Sequence, residues 1–470
     1  MTDRYDQQQG LKAPLKAGDI QIDEIVIIDR SGSELNVQAM LIELNIFEDI
    51  FSNCLYGNIV LSDGQGLIEK LPIIGDEYLR IKCGTPGFEE ADIFYRTFRI
   101  YGIGDRNIVT SDRLQQYTLH FCSPEAITDT LLPFSRTYSG QVDKVVSDIF
   151  QEYLQLPRNL FGTIDNNPIK ESEETTNLLV LGNTGNSIKF TSPMWTPLES
   201  INWLASKSLP VKGRGSNFLL FETNKQFVFG SVEQLIEIQL NANTIMEHYI
   251  YTPANVMDDG RDTNFLYTRP QLDKAYRIVE SFSIENNFNT LENLQNGYYA
   301  NKLFKFDVIK KDYTTHDFDY VAQFEDYKHI ETIEGRQGGP FFSRTTLRNP
   351  DTKMMFYPSH PGLYNGAKNN ASDIVDKTMQ NRISLLNDLN NYKINVTVNG
   401  RSDMEVGGIV RFDFPSITPK DSSTMESDGT DRYLSGLYLV TAIRHKITPI
   451  KHMMLMELVK DSVKTSLESA

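Results

Sequence analysis

The chain is short of the residues and runs that would place it in several familiar classes. Cysteine occurs three times in 470 residues, at Cys54, Cys83 and Cys122. An odd, unclustered set supplies neither a disulfide framework nor a thiolate cage for a metal, and suits a protein folded in a reducing cytoplasm. Nothing approaches about 18 consecutive apolar residues, and no apolar run follows the polar start MTDRYDQQQG. Neither a membrane-spanning helix nor a secretory signal is therefore expected. Cations are also in deficit: 46 Lys and Arg stand against 62 Asp and Glu, a net charge of −16. They are interspersed rather than grouped, so there is no basic stripe to hold a phosphate backbone.

Chemical motifs are missing as well. There is no HExxH, no CxxC and no GxSxG. Gly102-Ile103-Gly104-Asp105-Arg106-Asn107 fails the dinucleotide pattern at its last position and sits between strand-like runs instead of before a helix. Gly213-Arg214-Gly215 lacks the Lys-Ser/Thr that a phosphate loop requires. The seven histidines are dispersed. His445 and His452 lie across a hairpin from each other, but a zinc site needs three or four ligands. Adjacent acids such as Glu48-Asp49 and Glu89-Glu90 point apart in a strand. The expectation is a chain with no catalytic residues, no cofactor and no bound metal; it is not an enzyme.

What is present is β-forming. Tyrosine (22) and phenylalanine (26) are plentiful while tryptophan (2) is scarce, and Asn/Gly/Asp turn signals recur. The stretch 35–83 sets the pattern. Leu35, Val37, Ala39 and Leu41 alternate with polar or mixed positions, Tyr56 to Leu61 is a second run closed by Ser62-Asp63-Gly64, and Leu79, Ile81 and Cys83 mark a third. Short connections between them imply an antiparallel sheet. Residues 20–28, 94–104 and 114–122 extend it to about six strands, read as a small closed barrel.

From Ser123-Pro124 the period changes. Val142, Val145, Val146, Ile149, Phe150 and Tyr153 follow helical spacing, and Thr196-Pro197-Leu198-Glu199 is a capped helix start carrying Ile201, Trp203 and Leu204. Residues 217–222 and 226–230 flank Thr223-Asn224-Lys225 as a hairpin. Alternation returns at Tyr276 to Ile284 and at Phe304, Phe306 and Val308. After a helix over about 372–390 it resumes in strands around Ile394–Val398, Val410–Phe414, Leu437–Ile443 and 452–458. The fold class is mainly β with α+β parts: two antiparallel barrels separated by an α+β domain, plus an inserted, partly helical region. The boundaries read as an arm over 1–17, a first barrel over 18–125 and the α+β domain over 126–250. The second barrel follows over 265–345 and 390–460, with the insert at 346–389 and a tail at 461–470.

One segment is too apolar for an idle connection. Phe47-Glu48-Asp49-Ile50-Phe51 reads as a short link between the first two strands, its aromatics four apart. One reading tucks these side chains under their own barrel. The other makes Phe47, Ile50 and Phe51 subunit-interface residues, because aromatics dominate interface energetics.

Taken together, LIELNIFEDIFSNCLYGNIVLSDGQGLIEKLPIIGDEYLRIK, TPLESINWLASKS, SNFLLFETNKQFVFGS, QNGYYANKLFKFDVIKKDY, VTVNGRSDMEVGGIVRFDFP and LYLVTAIRHKI resemble the central baseplate hub protein of contractile-tailed bacteriophages. More distantly they resemble the base of type VI secretion spike proteins. The resemblance covers most of 18–460, and it lapses over 156–192, 310–390 and 416–433. It implies two tube-type barrels per chain and a homotrimer whose six barrels form a pseudo-sixfold ring. Such a ring adapts a hexameric tail tube to a trimeric central spike, contacts other baseplate proteins and lets DNA pass through its lumen without specific binding. It further implies a virion protein of the tail baseplate, assembled in the host cytoplasm and not inserted in a membrane. Two other classes fit a β-rich acidic chain: a receptor- or glycan-binding tail protein and a tail-associated cell-wall hydrolase. The first would expose more tryptophan, and the second needs convergent acids or a metal.

Overall fold

The computed structural model describes residues 16–70, 73–87, 93–109, 114–155, 176–242, 244–251, 269–286, 289–333, 336–337, 339–340, 347–359, 374–414, 431 and 433–463. The pair Glu89-Glu90, most of the segment 156–192 and the loop 416–430 lie outside these residues. The expectation of a mainly β chain with α+β parts holds.

The first sheet is built from β1 (Gln21–Ile28), β2 (Glu34–Asn36), β3 (Leu41–Asp49) and β4 (Tyr56–Asp63). After the single turn α1 (Leu67–Lys70) come β5 (Tyr78–Gly84), β6 (Phe94–Val109) and β7 (Leu114–Cys122). Their order is β3-β4-β7-β6-β5-β1-β2, every neighbour antiparallel. Period-two patterning sends Ile59, Leu61, Leu79, Ile81 and Cys83 inward. There they meet Ile25, Ile27, Leu44, Ile46, Phe98, Leu119 and Phe121 in one core. Each such side chain contributes about 1.5–3 kcal/mol by leaving water. Because strands from both ends of the order share that core, the sheet is rolled. Among the described residues no ladder joins β1 to β3. Val37, fully buried, spans the gap and donates its amide to Ile25 O (2.9 Å), followed by a 3-10 turn at Gln38–Met40. Gly57 is required on β4: a Cβ there would stand 2.2 Å from Phe121 Cζ.

The middle unit runs α2 (Pro124–Leu131), β8 (Thr137–Gln141), α3 (Val142–Tyr153), β9 (Leu178–Val180), β10 (Ser187–Thr191), α4 (Pro197–Ser206), β11 (Phe218–Glu222), β12 (Phe227–Ser231) and α5 (Val232–Asn241). The α4 start is a full capping box, Thr196 and Glu199 each satisfying the other's backbone, with Pro197 in the first turn. Helix α3 buries Val145, Val146, Ile149 and Phe150 against Ile201, Leu204, Phe218 and Phe229. The hairpin β11–β12 forms where the turn residues predict it.

The second all-β set comprises β13 (His248–Ile250), then α6 (Arg269–Arg277), β14 (Val279–Asn286), and, far along the chain, β20 (Lys393–Asn399), β21 (Ile409–Asp413), β22 (Gly436–Ile447) and β23 (His452–Val459). Pairing runs β14-β20-β23-β22-β21-β13, and a single parallel bridge, Ile250 to Ile278, brings β13 back beside β14. Inside lie Val396, Val398, Phe412, Tyr438, Met454 and Met456. Strand β13 pairs in parallel with β21, so this set is not wholly antiparallel.

Three differences from the sequence reading have physical causes. The two all-β sets are not separate: the first half of the long strand β22 pairs with β21, and its second half, Ala442 to Ile447, pairs with β3. One thirteen-stranded sheet results. Second, Phe304 and Phe306 do not join it. Between β14 and β20 lie α7 (Thr290–Asn296), β15 (Ala300–Asp307), β16 (Asp312–Asp319), α8 (Tyr320–Gln323), the two-residue strands β17 (Thr332–Ile333) and β18 (Arg336–Gln337), β19 (Met354–Ser359) and α9 (Val375–Asn391). There β15 pairs with β16 and with β19 as a three-stranded sheet, Phe304 stacking on Phe356. Third, Phe47, Glu48 and Asp49 are strand, not link, since β3 runs to Asp49 to match β22.

Candidate interaction surface

Two kinds of place merit attention: the outward face of the seam between the halves of the sheet, and the buried polar clusters beneath it. At the seam, directly opposed residues point to one side. Leu455 on β23 faces Arg444 on β22, Arg444 faces Phe47 on β3, and Phe47 faces Tyr56 on β4. Phe47 and Tyr56 are 37% and 43% exposed, high for aromatics in mid-sheet. The Arg444 guanidinium lies over the Phe47 ring, 5.8 Å from its centroid. In the adjoining row Arg444 Nε donates to Asn45 Oδ1 (2.9 Å) and Asn45 Nδ2 to Asn58 Oδ1 (2.9 Å), while Glu43 pairs with Lys446 (3.1 Å) and Arg444 (3.3 Å). Against partial burial, the Asn45 amide and after it Lys446 and Arg444 hold the Glu43 carboxyl below its usual range. The seam thus presents exposed aromatics beside a fixed polar ladder.

Of the three predicted interface residues, Phe47 and Phe51 (45% exposed) face outward and Ile50 does not. Ile50 is fully buried in the core of the second set. The cause is the turn after β3, which is tied to the middle unit. Asn53 Nδ2 donates to Leu220 O (2.9 Å) and to Asn202 Oδ1 (3.0 Å), and the Leu55 amide donates to Glu222 Oε2 (2.8 Å). Tyr56 was not singled out in the sequence; its place opposite Phe47 emerges from the β3–β4 register.

Beneath the seam two buried clusters join the units. Arg96 on β6 forms a fully buried ion pair with Glu222 on β11, and Ser123 Oγ donates to the second Glu222 oxygen (2.6 Å). Glu125 lies nearby and accepts from Thr176 Oγ1 (2.6 Å); burial, and after it the Glu222 charge, pushes its carboxyl up to about 7. In the other cluster His445 and His452 do meet, Nδ1 to Nε2 at 3.1 Å, but buried and not at the surface. Burial holds His452 well below the usual imidazole range. Glu48 Oε1 stands 3.6 Å from His445 Nε2, and both atoms are buried without a hydrogen-bond partner. They line a cavity of about 10 Å³ with Ser402, Met404 and Cys83, room for one water.

Two broad depressions in the surface, about 550 and 620 Å³, are lined by the Arg136–Glu152 ion pair and its neighbours and by Ile22, Asn36, Gln38, Ala39 and Pro449. In the first, the Tyr138 hydroxyl donates to Glu152 Oε2 (3.3 Å), a carboxylate already paired with Arg136. No helix among the described residues is long and apolar enough to cross a membrane.

No known family description and no curated protein matches the sequence. Among solved structures, the chain is similar to the tail protein from Neisseria meningitidis MC58 (10% identity, TM-score 0.49, covering 93% of this chain and 96% of that one). It is also similar to the 43 kDa tail protein of prophage MuSo2 from Shewanella oneidensis (10% identity, TM-score 0.48, 93% and 99% covered). A third similar structure is the E. coli c3393 protein, a component of the type VI secretion system (8% identity, TM-score 0.39, 95% and 78% covered).

Proposed function

We propose that this chain is a structural component of a phage tail, the central hub of its baseplate. In this reading three copies form a ring, each giving two β units, the first over 18–125 and the second centred on 390–460. The ring joins the tail tube on one side to the central spike on the other, DNA passes through its lumen, and the protein resides in the virion. The observation that carries the reading is the seam: two β sets of similar strand number are fused edge to edge through β22 and β3. That is the geometry needed for one chain to supply two adjacent segments of a ring wall. The net charge of −16 suits a lumen through which DNA must slide without sticking. Assembly is the role of such a chain; the buried acids lock its units together.

Sedimentation or native mass measurement of the purified chain tests the proposal. A particle of three chains, seen by electron microscopy as a ring with six similar lobes, is the expected result. A chain that stays monomeric at high concentration and does not bind a tail-tube protein would overturn it.

A further inference from the structure

Three side chains far apart in sequence converge in the interior: His329, Asp388 on α9, and Asp461 just beyond β23. One ligand-type atom from each lies within 4.8 Å of the other two, and all three residues are buried. They line a cavity of about 20 Å³, room for one small ion or water.

The hydrogen bonds around the cavity define what it wants. Phe324 O can only accept, so His329 Nε2, 2.8 Å away, carries the ring hydrogen. Nδ1 faces Asp461 Oδ2 at 3.1 Å, so either a doubly protonated ring donates to Asp461 or a cation takes that proton's place on the neutral ring. Asp461 is aimed by its other oxygen, which accepts from the Ile330 amide (3.0 Å) and Ser462 Oγ (2.7 Å). Asp388 accepts from the hydroxyls of both Tyr298 and Tyr320, while burial, and after it the Asp461 charge, pushes its carboxyl up to about 7. Two carboxyl groups this close, out of water, do not both ionise without positive charge beside them, be it a proton, the His329 imidazolium or a metal ion. A separate observation points the same way. Asn217 lines the same cavity, and its Oδ1 is buried without a hydrogen-bond partner.

We propose that His329, Asp388 and Asp461, with Asn217 Oδ1 as a fourth donor, bind a divalent cation of the zinc or manganese class. One imidazole nitrogen with carboxylate and amide oxygens suits those ions. A charge of +2 neutralises the two carboxylates while the ring stays neutral. The Nε2–H bond to a backbone carbonyl is the second-shell arrangement that orients a ligating histidine. Sequence spacing does not reveal the set because its members come from four separate segments. The ion would pin the end of β23, α9, the segment after α8 and the entry to β11 to one point, so its role is structural.

The test uses the full chain, unfolded in guanidinium with a chelator, then refolded with Zn²⁺ or with Co²⁺ and desalted. The expected result is one metal per folded chain by elemental analysis, the visible absorption of low-coordinate Co²⁺, and a melting temperature higher than that of the chelated form. His329→Gln and Asp461→Asn, each folded by circular dichroism, should lose the stoichiometric metal. Folded wild-type protein holding no more metal than the buffer blank overturns the proposal, as does equal metal in the folded variants. If the variants do not fold, metal content and the Co²⁺ spectrum of the wild type decide alone, an ion without imidazole coordination counting against the site.

Discussion

Arg444 and Phe47 sit directly across from each other at the line where the two halves of the sheet meet, the guanidinium over the ring. A cation resting on an exposed aromatic leaves that ring ordered and still accessible, the condition of a preformed anchor for a partner surface.

If that surface serves assembly, changing Phe47 and Phe51 to Ser leaves the chain folded and weakens its self-association or tube attachment by at least tenfold, a loss of about 1.4 kcal/mol. Both rings are already more than a third exposed, so the fold loses little. Far-ultraviolet dichroism and sedimentation, measured together, check this. An unfolded double variant would make the pair ordinary core, and unchanged assembly would make it idle.

The Arg96–Glu222 pair bears on stability in a different way. Glu222→Gln takes from a buried guanidinium its ion-pair partner, leaving only the Glu125 and Glu48 carboxyls in its surroundings, which costs about 3–5 kcal/mol. Because the pair joins β6 to β11, the loss should appear in urea as a lower midpoint for both the first sheet and the middle unit. A midpoint within error of the parent's would mean that solvent reaches the arginine.

Glu125 predicts a pH dependence. Its folded carboxyl titrates near 7, above an ordinary glutamate at 4.5, so the folded chain binds the proton more tightly than the unfolded one. The resulting stabilisation is complete below about pH 4.5 and is lost as pH rises through 7. Glu125→Gln should flatten this group's share of the stability slope between pH 5 and 8 and raise stability at pH 8. An unchanged slope in the variant would show that Glu125 is already ionised when buried.

Gly57→Ala tests the rolled core. The added Cβ meets Phe121 at 2.2 Å and the Asn45 carbonyl at 2.5 Å, so strand or ring must shift, at about 1–3 kcal/mol. Gly64→Ala is the control, since its Cβ finds only Leu114 Cδ1 at 3.6 Å. Thermal melting of the two variants should separate them clearly; equal melting temperatures would mean that β4 yields without strain.

Local chemistry was readable in the sequence and long-range pairing was not. The Thr196–Glu199 capping box, the α3 face and the β11–β12 hairpin each depend on residues a few positions apart, and each formed as read. Strand β3 departs from the alternation rule because Asn45 is walled in by Asn58 and Arg444 on its neighbouring strands, and Glu48 lies beside His445 in the interior. Asn45 and Glu48 are consequently as buried as Leu44 and Ile46, and the pattern reads as a link where a strand continues. The sharing of β22 and the parallel β13–β21 pair leave no periodic trace, because registers between distant segments are set by packing. At the seam, the aromatic segment flagged Phe47 and Phe51, while Tyr56 required the pairing itself.

The shared strand has a mechanical consequence. Domains joined by a flexible linker can pivot, but here relative rotation of the two halves would shear the six-residue ladder between β22 and β3 while bending an unbroken backbone. A load applied to one half therefore passes to the other through a stiff girder, and the spacing between them acts as a ruler fixed when the chain folds.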